Sequence, residues 1–377
     1  MDALITGGAG FIGSHLAEAL VRRGDRVTVL DNFSTGRVEN VVHLEDDPHF
    51  QLVAGSILDE SLVDQLSQRC EVIYHLAAAV GVELVVKNPW ESLTTNIKGS
   101  EIVLEMAHRH GKKILIASSS EIYGKNIDGP LKEEDDRILG SPLKSRWAYS
   151  TSKAVDEILA YLYWKEKNLP TVIVRLFNTV GPRQTGAYGM VIPRFVCQAL
   201  KGEPVTIYGD GKQRRCFLHV EDAVKALMKL MEHPRAVGEV FNIGSQEEIT
   251  IEDLSKKIIE LTHSPSQIVF VPYHQAYEEG FEDMLRRIPD ITKARDLIGF
   301  TPEFDLENVL RDVILFYQHG ATYAFVHTLK ALLHYTSLSS ERGLFKFGQG
   351  LTCSTLPRIC CRYSITSLSF NRATCSA

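Results

Sequence analysis

The stretch Ala3-Leu4-Ile5-Thr6-Gly7-Gly8-Ala9-Gly10-Phe11-Ile12-Gly13 decides the fold of this 377-residue chain. A short apolar strand runs into a turn with both Gly-x-x-Gly-x-x-Gly and Gly-x-Gly-x-x-Gly spacing, and apolar residues of 14–23 then recur at helical intervals. Arg26–Asp31 follows as a second strand that ends in an acid. A strand, a glycine turn, a helix and a second strand with a terminal acid, all within about thirty residues, indicate a dinucleotide-binding unit.

The same alternation of strands and helices continues as far as residue 178. Strand-like apolar runs occur at Phe50–Ala54, Val72–Leu76, Ile114–Ala117 and Thr171–Leu176. Helical spacing occurs at Glu60–Gln68, Pro89–His110 and Tyr149–Lys167. Such alternation predicts an α/β fold, a Rossmann-type doubly wound parallel sheet with helices on both faces.

Glycine and proline punctuate the chain after residue 178, and long connections separate the later helices, which are predicted at 221–232, 251–262 and 306–317. We interpret this part as a smaller C-terminal lobe that binds substrate at the carboxyl ends of the strands. The predicted domains are a dinucleotide-binding domain at 1–177, to which 213–243 returns, and a substrate-binding lobe at 178–212 and 244–320.

The composition excludes several classes of protein. With 44% hydrophobic and 23% charged residues, the chain can bury a large core, which excludes intrinsic disorder and a small disulfide scaffold. The net charge of −6 argues against nucleic acid and anionic membranes as partners. The apolar runs fall short of the roughly 20 residues that a membrane-spanning helix needs, and the start lacks the pattern of a secretion signal. We therefore predict a cytoplasmic protein.

Residues 321–377 differ in composition from everything before them. They hold six basic residues against one acid, a net charge of +5, together with four of the seven cysteines, so that the rest of the chain carries −11. The cysteines lack a paired metal-ligand spacing, and we predict no metal site. We expect an atypical, poorly ordered tail whose removal leaves activity intact.

The glycine turn is suited to a dinucleotide pyrophosphate. Without Cβ atoms, Gly7, Gly10 and Gly13 let the backbone turn tightly and approach the phosphates, which free N–H groups at the helix N-terminus would bind. Asp31 would accept hydrogen bonds from the adenosine ribose and repel a 2′-phosphate, so NAD is favoured over NADP as cofactor. The alternative is a glycine turn that serves only helix packing.

Tyr149 and Lys153 lie four residues apart and therefore on one face of a helix. The polar run Ser118-Ser119-Ser120-Glu121 follows an apolar strand, whose carboxyl end should face the ligand crevice. A tyrosine becomes a base near neutral pH only when neighbouring positive charge favours phenolate, and Lys153 with an oxidised nicotinamide would supply it. We predict that Tyr149 takes the proton of a sugar hydroxyl that Ser119 also binds; the alternative for Ser119 is a strand-end cap.

From Leu4 to about Gly320 the chain resembles the extended short-chain dehydrogenases/reductases that epimerise, dehydrate or decarboxylate nucleotide sugars. Beyond the glycine turn, Asp31 and the Tyr149/Lys153 pair, the resemblance lies in His75-Leu76-Ala77-Ala78, Asn96-Ile97-Lys98-Gly99, Ser118–Gly124, Arg175-x-Phe177-Asn178-x-x-Gly181-Pro182-Arg183, Tyr208-Gly209-Asp210-Gly211-x-Gln213-x-Arg215, Val220-x-Asp222 and Phe241-Asn242-Ile243-Gly244. Two positions depart from the family: Ser56 stands where an acid usually serves the adenine, and Ser100 replaces the usual threonine.

The resemblance implies a homodimeric NAD enzyme that acts on a nucleoside-diphosphate sugar, UDP-linked in the favoured interpretation, with helices 89–110 and 149–167 in the dimer contact. The implied catalytic residues are Tyr149, Lys153, Ser119 and Glu121. The implied cofactor-binding residues are Gly7, Gly10, Phe11, Ile12, Gly13, Asp31, Asn32, Leu76, Ala77, Ala78, Asn96, Tyr149 and Lys153. The implied substrate-binding residues, whose arginines suit a diphosphate, are Ser118, Ser119, Ser120, Glu121, Asn178, Arg183, Val191, Tyr208, Arg215 and Arg287.

Members of this family first make a transient 4-keto sugar, and the next step sets the reaction. Return of hydride to the other face gives a 4-epimer, loss of water gives a dehydrated keto sugar, and a C6 carboxylate leaves as carbon dioxide. Glu121 resembles the glutamate of UDP-glucuronate decarboxylases and GDP-mannose 4,6-dehydratases, whereas Ser120 stands where TDP-glucose dehydratases carry an aspartate. Because Arg286–Ile291 also resembles a decarboxylase segment, decarboxylation of UDP-glucuronate to UDP-xylose is the favoured interpretation.

Two stretches favour other reactions. Residues 78–82 lack the Cys-Pro-Ala-Ser-Pro loop of the decarboxylases, and residues 188–193 look closer to epimerases. A UDP-glucose 4-epimerase-type enzyme is therefore the second interpretation and a 4,6-dehydratase the third. A non-catalytic NAD-binding regulatory protein is a different class; such proteins usually lose one residue of the Tyr149/Lys153 pair, and both are present.

Overall fold

The computed structural model describes residues 1–79, 89–127, 129–144, 147–186, 190–276 and 284–319. Residues Met1–Ile314 form one compact unit, and residues from Leu315 onward belong to a second. Three parts of the sequence predictions lie outside the described residues: the loop at 80–82, the epimerase-like residues 188–189 and the tail at 321–377.

The strands of the described residues are β1 (Asp2–Thr6), β2 (Arg26–Asp31), β3 (Phe50–Ala54), β4 (Val72–His75), β5 (Lys113–Ser119), β6 (Thr171–Leu176), β7 (Thr179–Val180), β8 (Val205–Tyr208), β9 (Arg214–Cys216), β10 (Leu218–His219), β11 (Val240–Ile243), β12 (Glu248–Thr250), β13 (Ile268–Val271) and β14 (Arg286–Arg287). Seven of them pair in parallel in the order β11-β6-β5-β4-β1-β2-β3. The order 3-2-1-4-5-6 is that of a Rossmann sheet, which confirms the predicted fold class.

The helices are α1 (Phe11–Arg23), α2 (Glu60–Arg69), α3 (Pro89–Arg109), α4 (Ala148–Lys167), α5 (Val191–Leu200), α6 (Val220–Glu232), α7 (Ile251–Thr262), α8 (Tyr273–Ala276), α9 (Thr292–Ile298) and α10 (Leu306–His319). Helix α1 ends where Gly24 adopts φ 93° and its N–H bonds the carbonyls of Leu20 and Val21. That left-handed conformation is open to glycine at little cost, so the sequence stops the helix there.

The sheet separates two hydrophobic cores. Leu16 and Leu20 of α1 pack with apolar residues of α6 in the first core. Helices α2, α3 and α4 contribute to the second core, for example through Val103 and Ala160. Alternate residues of β1 point to opposite faces, so Ile5 belongs to the first core and Leu4 to the second. The central strand is therefore buried on both sides, as a doubly wound sheet requires.

The second half of the chain contains elements that the sequence did not predict. Residues 191–200 form α5, in which Pro193 occupies the first turn, where a missing N–H costs no helical hydrogen bond. Short strands form three small sheets, β10-β7, β12-β9-β14 and β13-β8. Strand β11 joins the main sheet beside β6. The division of the chain into two lobes stays a prediction.

Candidate active site

A cavity of about 710 Å³ lies at the carboxyl ends of the central strands. Its walls combine the glycine turn, the ends of β2, β4, β5 and β6, the start of α4 and residues of the second half of the chain. All predicted site residues lie in the described part of the molecule, and each of them except Asn96 lines this cavity.

Backbone hydrogen bonds, one of them to β2, fix the conformation of the glycine turn. The N–H of Gly7 donates to the carbonyl of Leu30 at 2.8 Å, and the N–H of Gly10 donates to the carbonyl of Gly7 at 3.1 Å. A Cβ on Gly13 would lie 2.3 Å from the oxygen of Gly7, so only glycine fits this position. The first turn of α1 contains no acid, and no side chain caps its N-terminus. Its N–H groups therefore present a partial positive charge to the cavity, which suits a phosphate group.

Asp31 lies at the end of β2, beside the glycine turn. Its carboxylate accepts hydrogen bonds from the N–H groups of Ala9 at 2.9 Å and Phe33 at 2.8 Å. Burial raises the pKa of this carboxyl, while the backbone donors oppose the rise. Asn32 and Arg37 line the same end of the cavity. A carboxylate fixed in this way can accept hydrogen bonds from a ribose.

The wall beside the turn follows β4. Leu76, Ala77 and Ala78 line the cavity. Asn96, which is buried in α3, accepts a hydrogen bond from the N–H of Ala79 at 2.7 Å and donates to the Ser152 hydroxyl at 3.1 Å. Asn96 therefore fixes the wall from behind. Ser56, whose hydroxyl accepts from the N–H of Leu58 at 3.2 Å, does not line the cavity, whereas both residues flanking it do.

Ser119, Tyr149 and Lys153 meet where β5 ends and α4 begins. The hydroxyl of Ser119 accepts the N–H of Glu121 at 3.2 Å and acts on the phenol of Tyr149, whose pKa it lowers. Burial raises the pKa of Tyr149, and the ammonium of Lys153 opposes the rise. Lys153 Nζ donates to the carboxylate of Asp156 at 3.0 Å. The serine and tyrosine hydroxyls thus form a polar pair that can hold a ligand hydroxyl.

Glu121 pairs with Arg287, which lies 166 residues away in the chain. The guanidinium also donates to Asn178 Oδ1 at 2.6 Å, so it bridges the turn after β5 and the end of β6. The two side chains are 13% and 11% exposed, and both line the cavity. This end of the cavity therefore carries an anion and a cation beside Tyr149, since Glu121 acts on the pKa of that phenol.

The other predicted substrate residues have partners of their own. Ser118 donates to Glu157 at 2.5 Å, and Glu157 binds Arg175 through both carboxylate oxygens at 2.9 and 2.8 Å. Arg183 Nη2 donates to Glu18 of α1 at 2.5 Å. The guanidinium of Arg194 stacks 4.1 Å from the ring centre of Tyr208. Ser120 is buried, Val191 begins α5, and Arg215 donates to the carbonyl of Arg214 at 2.8 Å.

Sequence reasoning missed several residues of this site. Those that line the cavity include Ile57, Glu91, Ser92, Thr95, Gln184, Arg194, Gln213, Phe217 and Tyr273. Most of them lie in loops or on helices that carry no motif. Asp156, the partner of Lys153, could have been found, because three residues on a helix place an acid beside a lysine.

Within the residues that the structure describes, no three His, Cys, Asp or Glu side chains gather as metal ligands would. In the same residues, no helix combines the length and the apolar character needed to cross a membrane.

The chain matches known proteins over most of its length. The family model of GDP-mannose 4,6-dehydratase matches residues 4–313. The UDP-N-acetyl-alpha-D-glucosaminuronate decarboxylase of Bacillus cytotoxicus is 43% identical over 316 residues, which are 84% of this chain and 97% of that protein. UDP-glucuronic acid decarboxylase 4 of Arabidopsis thaliana is 39% identical over 310 residues, which are 82% of this chain and 67% of that protein.

A solved structure extends the match to three dimensions. The UDP-glucuronic acid 4-epimerase of Bacillus cereus, crystallised with UDP-glucuronic acid and NAD, has a TM-score of 0.75 and 29% identity, and the match covers 87% of this chain and 100% of that one. Together with the glycine turn, the Tyr149/Lys153 pair and the Rossmann sheet, these matches establish that the chain belongs to the GDP-mannose 4,6-dehydratase family of extended short-chain dehydrogenases/reductases.

Proposed function

We propose that this chain is an NAD-dependent decarboxylase of UDP-linked sugar acids, which removes the C6 carboxylate by way of a transient 4-keto sugar. The Glu121–Arg287 ion pair beside Tyr149 carries the proposal, because the chemistry at C5 and C6 needs an acid–base group next to the oxidised carbon. Two relatives at 43% and 39% identity, both named as decarboxylases of such sugars, support it.

The nucleotide end of the cavity is suited to NAD. The N–H groups of Phe11, Ile12 and Gly13 lie in the first turn of α1, where a pyrophosphate would find donors without helical acceptors. Asp31 would accept hydrogen bonds from the adenosine ribose, and its charge would disfavour a 2′-phosphate. When bound, NAD would take a hydride from the sugar C4 and later return it, and its oxidised ring would add positive charge beside the phenol of Tyr149.

Tyr149 is the proposed base for the C4 hydroxyl. The Ser119 hydroxyl acts on this phenol and would bind the same sugar hydroxyl, so the two oxygens would hold the sugar in line for proton transfer. Lys153 favours the phenolate by its charge, although burial keeps the pKa of Tyr149 above its ordinary value in the protein alone. After the last step the phenol would return its proton to O4.

Oxidation at C4 makes the C6 carboxylate β to a ketone. The C5–C6 bond can then break with release of carbon dioxide, and its electron pair moves into the enolate of C4 and C5. C5 must next gain a proton, which comes from solvent, and Glu121, which lies beside Tyr149, would take up this proton and pass it to C5. Arg287 would hold Glu121 and offset the negative charge of the enolate. The product is a UDP-pentose, with the carboxylate replaced by a hydrogen.

Two sugar acids fit this reaction. UDP-glucuronate has a hydroxyl at C2, and the product would be UDP-xylose. The Bacillus cytotoxicus relative is named for the 2-acetamido sugar, and its 43% identity makes UDP-N-acetylglucosaminuronate the second candidate substrate. The C4 chemistry is the same for both sugars. A 4-epimerase is the alternative reaction, which the likeness to the Bacillus cereus enzyme supports.

The reaction class is tested by mass analysis of the products. The purified protein is incubated with UDP-glucuronate, UDP-N-acetylglucosaminuronate, UDP-glucose, UDP-N-acetylglucosamine and GDP-mannose. We expect loss of carbon dioxide from one or both acids and no reaction with UDP-glucose, which differs from UDP-glucuronate only at C6. An unchanged mass with an inverted C4 would replace the proposal by epimerisation, and loss of water would replace it by dehydration.

We also propose that the protein acts as a homodimer, with a contact through α3 and α4. Three apolar side chains on α4 support this, since Ile158, Tyr161 and Leu162 are 55%, 43% and 39% exposed. Analytical ultracentrifugation of the wild type and of an Ile158→Glu, Leu162→Glu double variant tests the contact. We expect a dimer mass for the wild type and a monomer mass for the variant, and equal masses would refute the contact. The cytoplasmic location stays a prediction.

A further inference from the structure

A row of buried polar side chains lies behind Lys153. The carboxylate of Asp156 accepts from Lys153 Nζ at 3.0 Å, and neither side chain lies open to water, with 0% and 3% exposed. The Ser100 hydroxyl acts on the same carboxylate, in a contact too long or too oblique for a full hydrogen bond. Ser100 Oγ lies 3.0 Å from His75 Nε2, and His75 Nδ1 lies 2.8 Å from Thr6 Oγ1.

One of the two neutral tautomers of His75 directs this row toward Asp156. Burial, followed by the charge of Lys153, lowers the pKa of His75 to about 3, so the imidazole is neutral and carries one N–H. Thr6 Oγ1 accepts the N–H of Ala77 at 3.3 Å, and in the tautomer with the proton on Nε2 it donates its own proton to Nδ1. In that tautomer Nε2–H donates to Ser100 Oγ, which leaves the Ser100 proton for the side of Asp156. Burial raises the pKa of Asp156, while the ammonium of Lys153 and then the Ser100 hydroxyl oppose this rise and so favour the charged carboxylate.

Asp156 does not line the cavity, so a substrate or cofactor would not touch it. Its effect passes through Lys153. A buried ammonium without a counter-charge tends to lose its proton. Burial is the largest effect on Lys153 and would lower its pKa, but the negative charges of Asp156, the Tyr149 phenolate and Glu157 together outweigh it, and the pKa is raised. Asp156 is the first of these charges and also accepts a hydrogen bond from the ammonium. The same negative charge also raises the pKa of Tyr149.

We propose that Asp156 is a positioning residue, which holds the ammonium of Lys153 through their buried contact and keeps it protonated, and whose own charge the row from Thr6 to Ser100 supports. The inference rests on the proposed role of Tyr149 as base. It adds a carboxylate outside the cavity that sets the pH range in which the base and its lysine work together.

Neutralising Asp156 should move both limbs of the pH profile in one direction. Without its charge, Lys153 and Tyr149 each lose a proton more readily, so we expect Asp156→Asn to shift the limbs to lower pH by about one unit. The charged groups that act on Tyr149 are then Lys153 and Glu121, which the substitution leaves in place. A role in packing alone would lower the rate at every pH and leave the limbs unmoved.

Two measurements are made on the full chain. The first is the pH dependence of cofactor reduction in a single turnover. The second is the near-ultraviolet titration of the Tyr149 phenol, obtained by subtracting the curve of a variant that lacks this phenol. For the wild type the subtracted curve is that of Tyr149→Phe. For Asp156→Asn it is that of the double variant with Asp156→Asn and Tyr149→Phe. The titration needs no substrate, so it decides the inference even where no sugar is oxidised and the proposed function fails.

Matched variants complete the test. Asp156→Glu keeps the charge and should keep the wild-type limbs. Asp222→Asn makes the same change at another buried aspartate, which accepts the N–H groups of Glu303 and Phe304, and should also keep them. If Asp156→Asn does not fold, the single variant Lys153→Met is compared with a double variant that carries Lys153→Met and Asp156→Asn. The double variant lacks both charges, so it buries no unpaired charge. The double variant should show the lower phenol pKa. An equal phenol pKa in these pairs, or unmoved limbs in Asp156→Asn, overturns the proposal.

Discussion

Two cation–carboxylate pairs act on Tyr149, and they differ in what they can reach. Lys153 and Asp156 are neighbours on one helix and are almost fully buried. Arg287 and Glu121 come from distant parts of the chain, line the cavity and are each more than a tenth exposed. The buried pair can set the charge around the phenol but cannot touch a ligand. The open pair can meet the sugar, so it is suited to deciding what happens after oxidation.

Substitution of Tyr149 removes the group that both pairs serve, and we expect the largest effect there. Tyr149→Phe keeps the ring but loses the transferable proton, so turnover should fall by about 10²–10⁴ while NAD and sugar binding change little. Single-turnover cofactor reduction measures the loss, and equilibrium binding checks the rest. Tyr74→Phe, at a buried tyrosine of β4 that does not line the cavity, is the matched control. Near-normal reduction in Tyr149→Phe would exclude this residue as the base.

Neutralising the open pair should separate oxidation from the later step. We expect Glu121→Gln to slow the conversion of the 4-keto sugar into product by about 10²-fold or more. Oxidation at C4 should slow less, because only the later step needs a proton at C5. Reduced cofactor should therefore accumulate, which absorbance follows directly. Asp156→Asn is the comparison, since it should move the pH limbs without such accumulation. Unchanged product formation in Glu121→Gln would favour epimerisation.

The buried row behind Lys153 should also make the fold sensitive to acid. The folded-state pKa of His75, about 3, lies below its ordinary value of 6.5. The unfolded chain therefore binds the proton first, and stability present above pH 6.5 is lost as the pH falls toward 3. At pH 5 the loss from this residue is about 2 kcal/mol.

Denaturant unfolding at pH 7 and pH 5 checks this value. In His75→Gln, which cannot take up the proton, the difference between the two pH values should shrink by about 2 kcal/mol relative to the wild type. His49→Gln, at an exposed histidine, is the control. An equal pH dependence in His75→Gln and the wild type would show that His75 is not the group concerned.

The smallest effect is expected from the end of the chain. Deletion of residues 321–377 should leave cofactor reduction within about twofold of the full chain, because the family match ends at residue 313. Deletion from residue 306 is the contrasting variant, since α10 buries Leu306, Val309, Leu310 and Val313. That variant should fold poorly. Loss of activity in the shorter deletion would contradict the separation of the tail from the enzyme.

Local spacing made much of the fold and one side of the site predictable. The glycine turn, Asp31 and the Tyr149/Lys153 pair depend on residues close in sequence, and their periodicity survives in the structure. The Glu121–Arg287 contact joins residues 166 apart, so spacing alone could not reveal it, and only the family resemblance brought both residues into the site. Asn96 shows the limit of that resemblance, because a motif names a residue without telling whether it faces the cavity or supports its wall.

The alternation of β1 between two cores has a consequence for insertions and deletions. Because Leu4 faces one core and Ile5 the other, loss of one residue within Asp2–Thr6 would exchange the two sets of side chains and shift the strand by about 3.3 Å. Gly7 follows the strand directly, so the turn would leave its hydrogen bond with Leu30. The register that packs the cores therefore also fixes the position of the nucleotide site, and neither can drift without the other.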